Sequence, residues 1–407
     1  MENQNTKTVA VFTVCNIAYL PKALVLADSL MSHSNIKLKV FLFDRKQDFT
    51  YPTDAIELIW VEDIGVPKFC ELAFMYDIIE FSTSLKPFIS LSLLRAHDSV
   101  IFLDPDTCLF APLTPILDEL ESHDILLTPH HTKPQPRTPE ESDLPMMRFG
   151  SFNLGFFAVN NRGEGLDFLN WWNERCIDHC FMESQFGLST DQKWVTIAPC
   201  FFRTLHVCFH PGYNASAWNT FERTFSKNEA GEYLVNDEFP LIFFHFSNFD
   251  YADTGYINKR ASSERGLFYP VLKELGDWYA DRLKAKSELV TKVRYTYDFM
   301  TDGTFISPTL RRAYASIREE LPVGHNPFDS DGPVGKFSKK NNLVGEVGGR
   351  YSYPGLRDAK KHQRKFKAVY RIMRLILRVV GPNRFYDLSK LVVYLSMYRR
   401  NRDLWKL

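Results

Sequence analysis

Residues 99–110 read SVIFLDPDTCLF: an apolar run from Val100 to Leu103, two aspartates one residue apart at Asp104 and Asp106, and a second apolar run. Four consecutive apolar residues suit a strand covered on both faces. Carboxylates bounded by buried strand are costly unless something compensates their charge. A hard divalent cation is one such compensation, because it takes carboxylate oxygens and also grips phosphate. Taken alone, Asp-X-Asp is a common triplet, and a solvated turn accounts for it as well.

On the N-terminal side, Val9 to Val14 is a β-rich run and Asn16 to Pro21 a turn. Leu20, Ala23, Leu24, Ala27, Leu30 and Met31 then recur at helical spacing. Leu38 to Phe43 and Ile56 to Val61 read as strands, Glu71 to Glu80 and Leu85 to Ala96 as helices, and Ser99 to Leu103 as a strand. This alternation predicts an α/β architecture with a largely parallel sheet. It places Asp104 and Asp106 beyond the carboxyl end of a strand, where open α/β sheets bind ligands.

Downstream, the pattern predicts a helix over Thr114 to Glu121, a strand over Asp124 to Leu127 and a strand over Phe152 to Asn160. Helices follow over Leu166 to Cys180 and Asp191 to Ala198, then a buried strand over Ile242 to Phe246. Between them, Thr128 to Pro145 holds five prolines and reads as a mobile, lid-like loop. Four regions are expected: a main domain over 1–275, an accessory helical region over 276–323, a Gly/Pro-rich linker over 324–356 and a basic amphipathic tail over 357–407.

His245 stands among Phe243, Phe244 and Phe246, a setting that disfavours an imidazolium. A neutral imidazole is a good ligand for a manganese-like ion. The competing reading is a core histidine bonded to backbone.

With 407 residues, 45% hydrophobic and 24% charged, the composition excludes a wholly disordered or fibrous chain. The seven cysteines are scattered, four of them inside apolar runs that read as core, and read as reduced thiols; Cys176 and Cys180, with His179 between them, lack the second ligand pair of a structural zinc site. The start MENQNTKTVAVF has no secretory pattern, and no apolar run reaches the roughly 18 residues a bilayer span needs. These features predict a cytoplasmic protein, soluble or peripheral at the inner face of a membrane.

Net charge is zero, but residues 357–407 carry 15 Lys and Arg against 3 Asp and no Glu, a net +12. Phe366, Val369, Tyr370, Met373, Ile376 and Leu377 form one helical stripe there, with basic residues around it. Such a stretch suits an anionic membrane surface, or packing on the acidic remainder of the chain. Nucleic acid is not an expected partner, since that remainder is acidic.

Read together, FTVCNIAYLPKALVLADSL, SLKPFI, VIFLDPDTCLF, FNLGFFAVN, STDQKW, HPGYN with SAWN, and FFHFSN, in this order over residues 8 to 250, resemble the family 8 glycosyltransferases and related bacterial sugar transferases. The resemblance implies the GT-A fold, a Rossmann-like mixed but mainly parallel sheet flanked by helices, here with a C-terminal helical extension. It implies a divalent cofactor, Mn2+ or Mg2+, held by Asp104, Asp106 and His245, with Asp106 the principal ligand and Asp104 shared with the ribose. Thr13, Asn16 and Tyr19 would hold the nucleotide base, and Lys86 would face the donor. Asn153 and Gly155 would line the donor sugar, with Gly155 allowing close approach. Asp191 and Gln192 would lie near the reactive carbon, Asp191 also being a good helix cap. Asn214, Trp218 and Asn219 match motif positions of the bacterial group.

One departure stands out. Family members continue the His-Phe strand into a Gly and Lys-Pro-Trp segment whose lysine contacts the diphosphate, whereas this chain reads HFSNFDYADTGYINKR. Either Lys259, Arg260 or Arg265 replaces that lysine, or it has no counterpart here. The expected activity is transfer of a hexose-type sugar from a nucleotide diphosphate sugar, uridine-linked, to a hydroxyl of a glycan, lipid-linked or protein acceptor, with retention. The alternative is a sugar-nucleotide-binding or scaffold protein without turnover; a metal-dependent phosphoesterase would need more Asp and His ligands.

Overall fold

The computed structural model describes residues 8–52, 54–135, 143–249, 254, 257, 270–349 and 363–405. Contacts divide the chain into two compact units, Met1–Phe69 with Ile78–Thr296, and Cys70–Asp77 with Tyr297–Leu407.

The first unit carries strands β1 (Val9–Cys15), β2 (Leu38–Leu42), β3 (Ile56–Trp60), β4 (Ser99–Leu103), β5 (Thr107–Leu109), β6 (Ile125–Pro129), β7 (Phe152–Asn160) and β8 (Leu205–Val207). Seven of them form one sheet in the order β8-β6-β7-β4-β1-β2-β3. Every neighbouring pair is parallel except those made by β7, which runs antiparallel to β4 and β6. This is the mixed, mainly parallel sheet expected from the sequence. All nine residues of β7 are buried, as in a strand covered on both faces.

Helices α1 (Leu20–Ser34), α2 (Lys86–Leu93), α3 (Thr114–Ser122) and α4 (Glu164–His179) accompany the sheet. α1 starts with Pro21 in its first turn, where the missing N–H costs nothing, and closes on Asn35 in the left-handed region. Its buried residues Leu20, Ala23, Leu24, Ala27 and Leu30 join Val11, Val40 and Ile101 of the sheet in one apolar cluster.

A second, three-stranded sheet sets up the site. It pairs β5 with β10 (Phe243–His245), and β10 with β9 (Ala215–Ser216). Because β4 belongs to one sheet and β5 to the other, Asp104-Pro105-Asp106 is the crossing between them. The register sets His245 opposite Thr107, next to the acidic pair.

Several expectations change. The first-unit helix α5 (Pro270–Leu289) runs through the expected boundary at 275, because Leu272, Leu275, Tyr279 and Leu283 pack into a cluster with Phe244 and Phe246. Tyr279 stacks flat on Phe246 with ring centroids 3.8 Å apart. The helix expected over Glu71 to Glu80 is two, Phe69–Met75 and Ile78–Ser84. That expected over Asp191 to Ala198 is the short Gln192–Val195.

The Pro-rich loop is pinned in its described part. Glu222, itself buried, accepts from the backbone N–H groups of Thr132 and Lys133 at 2.6–3.0 Å, and Leu144–Phe149 is a helix. Residues 136–142 lie outside the described residues.

In the second unit, the expected linker carries a helix, Pro333–Lys340, and a strand, Val344–Val347, paired with Thr304–Ile306. Phe328 and Val334 are fully buried there, and a β-carbon on Gly335 would sit 2.0 Å from the Ser330 carbonyl oxygen, so Gly335 serves packing, whereas Gly324 and Gly348 supply positive φ in open space. Arg311, on the helix Pro308–Ile317, donates to the carbonyls of Ala73, Phe74, Tyr76 and Tyr297 and to Asp298. The basic tail forms two helices, Gln363–Val380 and Pro382–Leu395, with Val369, Tyr370, Ile372, Leu375, Val379 and Val392 exposed. The side chain of Phe366 and residues 357–362 lie outside the described residues. Among the described residues, no helix is long and apolar enough to cross a membrane.

Candidate functional site

Asp104 and Asp106 follow β4, and two backbone bonds fix them to the flanking strands. Asp104 N–H donates to the Gly155 carbonyl of β7 at 2.8 Å, and the Asp106 carbonyl accepts from Phe246 N–H at 2.8 Å. β10 then presents His245 to both carboxylates: Nε2 lies 3.1 Å from Asp106 Oδ1 and 3.7 Å from Asp104 Oδ2. One ligand atom from each of the three residues lies within 4.8 Å of the others. A cation with bonds of about 2.0–2.4 Å can span such a group. Two carboxylates and an imidazole are a hard donor set suited to Mn2+ or Mg2+.

The other imidazole nitrogen is held from behind. His245 Nδ1 is 3.2 Å from Asn214 Oδ1, and the Asn214 amide donates in turn to Thr128 Oγ1 at 2.9 Å and Asn153 Oδ1 at 3.0 Å. Since the Asn214 NH2 group is spent on these acceptors, its oxygen faces His245 and accepts the Nδ1 proton, which leaves Nε2 as the nitrogen available to a metal. Asn219 donates to the Asn214 carbonyl at 3.1 Å, and the Trp218 ring stands edge-on to His245 at 5.1 Å. The HPGYN and SAWN motifs therefore orient the imidazole, a role that strand patterning does not reveal.

Gly155 makes room for the imidazole. A β-carbon there would fall 2.4 Å from His245 Cε1 and 2.8 Å from Asn153 Oδ1. The space its missing side chain leaves is filled by the His245 ring, a close approach that any side chain would block.

Lys86 and Asp191 form the buried floor. Lys86 Nζ donates to the Leu154 carbonyl at 2.8 Å, lies 3.5 Å from both Asp104 Oδ1 and Asp191 Oδ2, and stands over the Phe102 ring. Burial would lower its pKa, but Asp104 and Asp191 outweigh that and raise it, keeping the ammonium charged. Asp191 is 2% exposed; burial raises its pKa against the pull of Lys86, and its other oxygen accepts from Thr190. Gln192 meets this floor at Leu154, whose N–H its Oε1 accepts at 3.4 Å, while its amide donates to the Phe149 carbonyl at 3.0 Å.

Thr13, Asn16 and Tyr19 sit at the end of β1 and in the turn after it. Thr13 Oγ1 is buried with no hydrogen-bond partner, Asn16 Oδ1 accepts from Tyr19 N–H at 3.1 Å, and the Tyr19 ring is half exposed under Lys22 Nζ. Two neighbours escaped the sequence reading. Lys22, in the first turn of α1, brings its ammonium 3.6 Å from Asp106 Oδ2. Burial works against ionisation of Asp106, yet His245 and Lys22 hold it well below the ordinary carboxylate range. Asp44, just past β2, accepts from Ile17 N–H at 2.6 Å with its other oxygen unpartnered, and burial pushes it up to about 6. A lone buried carboxylate was the only available signal for it, and an Asp after a strand reads as a turn residue. Lys259, Arg260 and Arg265 lie outside the described residues.

No family model matches the chain. It is similar to two uncharacterized proteins of Bacillus subtilis: YfnF, 28% identical over 176 residues, which are 42% of this chain and 58% of that protein, and YfnD, 25% identical over 246 residues, 58% and 76%. The match to YfnF thus spans little more than half of its length. Among solved structures, the chain is similar to the glycosyltransferase GlyE of Streptococcus pneumoniae TIGR4 (15% identity, 73% of this chain and 67% of that one, TM-score 0.40). It is also similar to the galactosyltransferase LgtC in complex with donor and acceptor sugar analogs (13%, 70% and 97%, TM-score 0.40).

Proposed function

We propose that the chain is a metal-dependent glycosyltransferase that moves a hexose-type sugar from a uridine-linked nucleotide diphosphate sugar to a hydroxyl of a glycan, lipid-linked or protein acceptor, with retention. The observation that carries this reading is the convergence of Asp104, Asp106 and His245 Nε2 at the crossing between the two sheets, beyond the carboxyl end of β4. A Mn2+ or Mg2+ ion held there would supply Lewis-acid stabilisation to the departing diphosphate.

The chain's own residues take the remaining tasks. Thr13, Asn16 and Tyr19, with the unpartnered oxygen of Asp44, offer polar atoms to a base and ribose at the ends of β1 and β2. Lys22 supplies a positive charge beside Asp106 on which a phosphate oxygen can rest, a role the family gives to its missing lysine. Asn153 and Gln192 line the donor side, and Lys86 fixes Asp104 and Asp191 by charge. In the reaction the bond from the anomeric carbon to the diphosphate oxygen breaks, the acceptor oxygen bonds that carbon, and the acceptor hydroxyl loses its proton.

A second reading, donor binding without turnover, is favoured by one observation: Asp191 is 2% exposed and engaged by Lys86 and Thr190, so its carboxylate does not face a substrate directly. The basic tail, with its exposed apolar residues among arginines, fits attachment to the anionic inner face of a membrane, near a lipid-linked acceptor. Thermal shift with a panel of sugar nucleotides tests the donor claim. Stabilisation by a uridine diphosphate sugar that requires Mn2+ is expected; no shift with any donor contradicts it, and binding with no product on any acceptor favours the second reading.

A further inference from the structure

We propose that Glu119, His206 and Cys208 form a second metal site, for a Zn2+ ion held by three protein groups and one water, apart from the Asp104, Asp106 and His245 group and independent of the proposed transferase activity. The ligand set decides the class of metal. Glu119 lies in the last turn of α3, while His206 and Cys208 come from and directly follow the edge strand β8. Two residues apart on an extended chain, His206 and Cys208 point to the same face. The Cys208 N–H donates to the Leu127 carbonyl at 2.8 Å, which extends the β6–β8 pairing and fixes that face.

Toward this face α3 brings Glu119. Cys208 Sγ donates to Glu119 Oε2 at 3.1 Å, His206 Nε2 lies 4.0 Å from the same oxygen, and a ligand atom of each lies within 4.8 Å of the others. Metal bonds of about 2.0–2.3 Å in tetrahedral geometry place ligand atoms roughly 3.3–3.8 Å apart. The separations here bracket that value, so small side-chain rotations close the site. A thiolate and an imidazole select Zn2+ over the hard ions favoured by a site of two carboxylates and one imidazole.

The surroundings complete the case. The Tyr213 hydroxyl lies 3.3 Å from the other Glu119 oxygen, Oε1, where it orients the carboxylate as an outer-shell partner. The His123 ring stacks on His206 with centroids 4.2 Å apart, holding the imidazole plane. Cys208 is buried while His206 and Glu119 remain partly exposed, leaving a solvent-facing side for water as a fourth ligand.

Binding is a balanced exchange. The Cys208 S–H bond breaks, a Zn–S bond forms, and the thiol proton leaves to solvent, while Glu119 changes from hydrogen-bond acceptor to ligand. The ion would tie the partly buried edge strand to α3 and hold the chain through Tyr213, one residue before the Asn214 that orients His245.

Cobalt(II) titration of the chelator-treated full chain tests this, because thiolate-to-cobalt absorption in the near ultraviolet cannot arise from the Asp104, Asp106 and His245 group. The expected result is one equivalent of Co2+ giving that absorption, displaced by Zn2+, retained in Asp106→Ala and lost in Cys208→Ser. His206→Ala should weaken Co2+ binding at least tenfold, and it decides the matter if Cys208→Ser does not fold. Absence of the band in the unaltered chain, a band that survives Cys208→Ser, or unchanged affinity in His206→Ala overturns the site. None of these outcomes bears on sugar-nucleotide binding.

Discussion

His245 presents one nitrogen to two carboxylates and the other to an amide, so Asn214 decides which nitrogen is free for a metal. Asn214→Ala should weaken Mn2+ affinity about 10–100-fold, the usual cost of removing an outer-shell partner; calorimetric Mn2+ titration checks this, and unchanged affinity contradicts it. The three candidate ligands were legible in the sequence, since an acidic pair after an apolar strand and a histidine within another are local patterns. The parts of Asn214, Lys22 and Gly155 were not, because each depends on distant segments brought together by the fold. Asp44 makes a pH-dependent contribution. Its pKa is raised to about 6 in the folded chain against an ordinary 3.8. Well below the ordinary 3.8 both states are protonated, and stability is lost as pH rises from there through about 6. Relative to Asp44→Asn, the unaltered chain should therefore lose on the order of 2–3 kcal/mol between pH 4 and 7. Urea unfolding of both proteins across that range reads the difference, and a constant gap would remove the argument.

At the scale of elements, the crossing from β4 to β5 is what turns an acidic triplet into a site. The strands were readable from apolar runs, but that β5 leaves the main sheet and pairs with β10 is a matter of register, which periodicity does not encode. The same limit explains the segment 324–349, where glycines that read as a linker instead allow close packing, as Gly335 does against Ser330. α5 shows a similar limit: a helical region was expected only from 276, whereas the helix starts at Pro270 and sets Leu272, Leu275, Tyr279 and Leu283 in the Phe244 and Phe246 cluster. In the second unit, Arg311 joins the segment Cys70–Asp77 to residues 297 and 298 by bonds to four carbonyls and one carboxylate. Arg311→Met would remove all five bonds, four to backbone carbonyls and one to the partly exposed Asp298, with an expected loss on the order of 3 kcal/mol. Urea unfolding, with hydrogen exchange over residues 70–77, should show this; protection there that persists would mean other contacts hold the segment.

Across the whole molecule, charge is unevenly placed, with +12 over residues 357–407 balancing an acidic remainder. Each basic residue near an anionic surface contributes about 1 kcal/mol, and salt weakens this. The full chain should sediment with phosphatidylserine vesicles at low salt and a chain ending at residue 356 should not; equal sedimentation would remove the membrane from the account. The central claim concerns the metal and the donor together. The most direct measurement is Mn2+-dependent release of sugar from uridine diphosphate sugars, compared between the unaltered chain, Asp106→Ala and His245→Ala. The account predicts release that needs Mn2+ and falls at least a hundredfold in both variants; release indifferent to Mn2+, or undiminished in both variants, would contradict it.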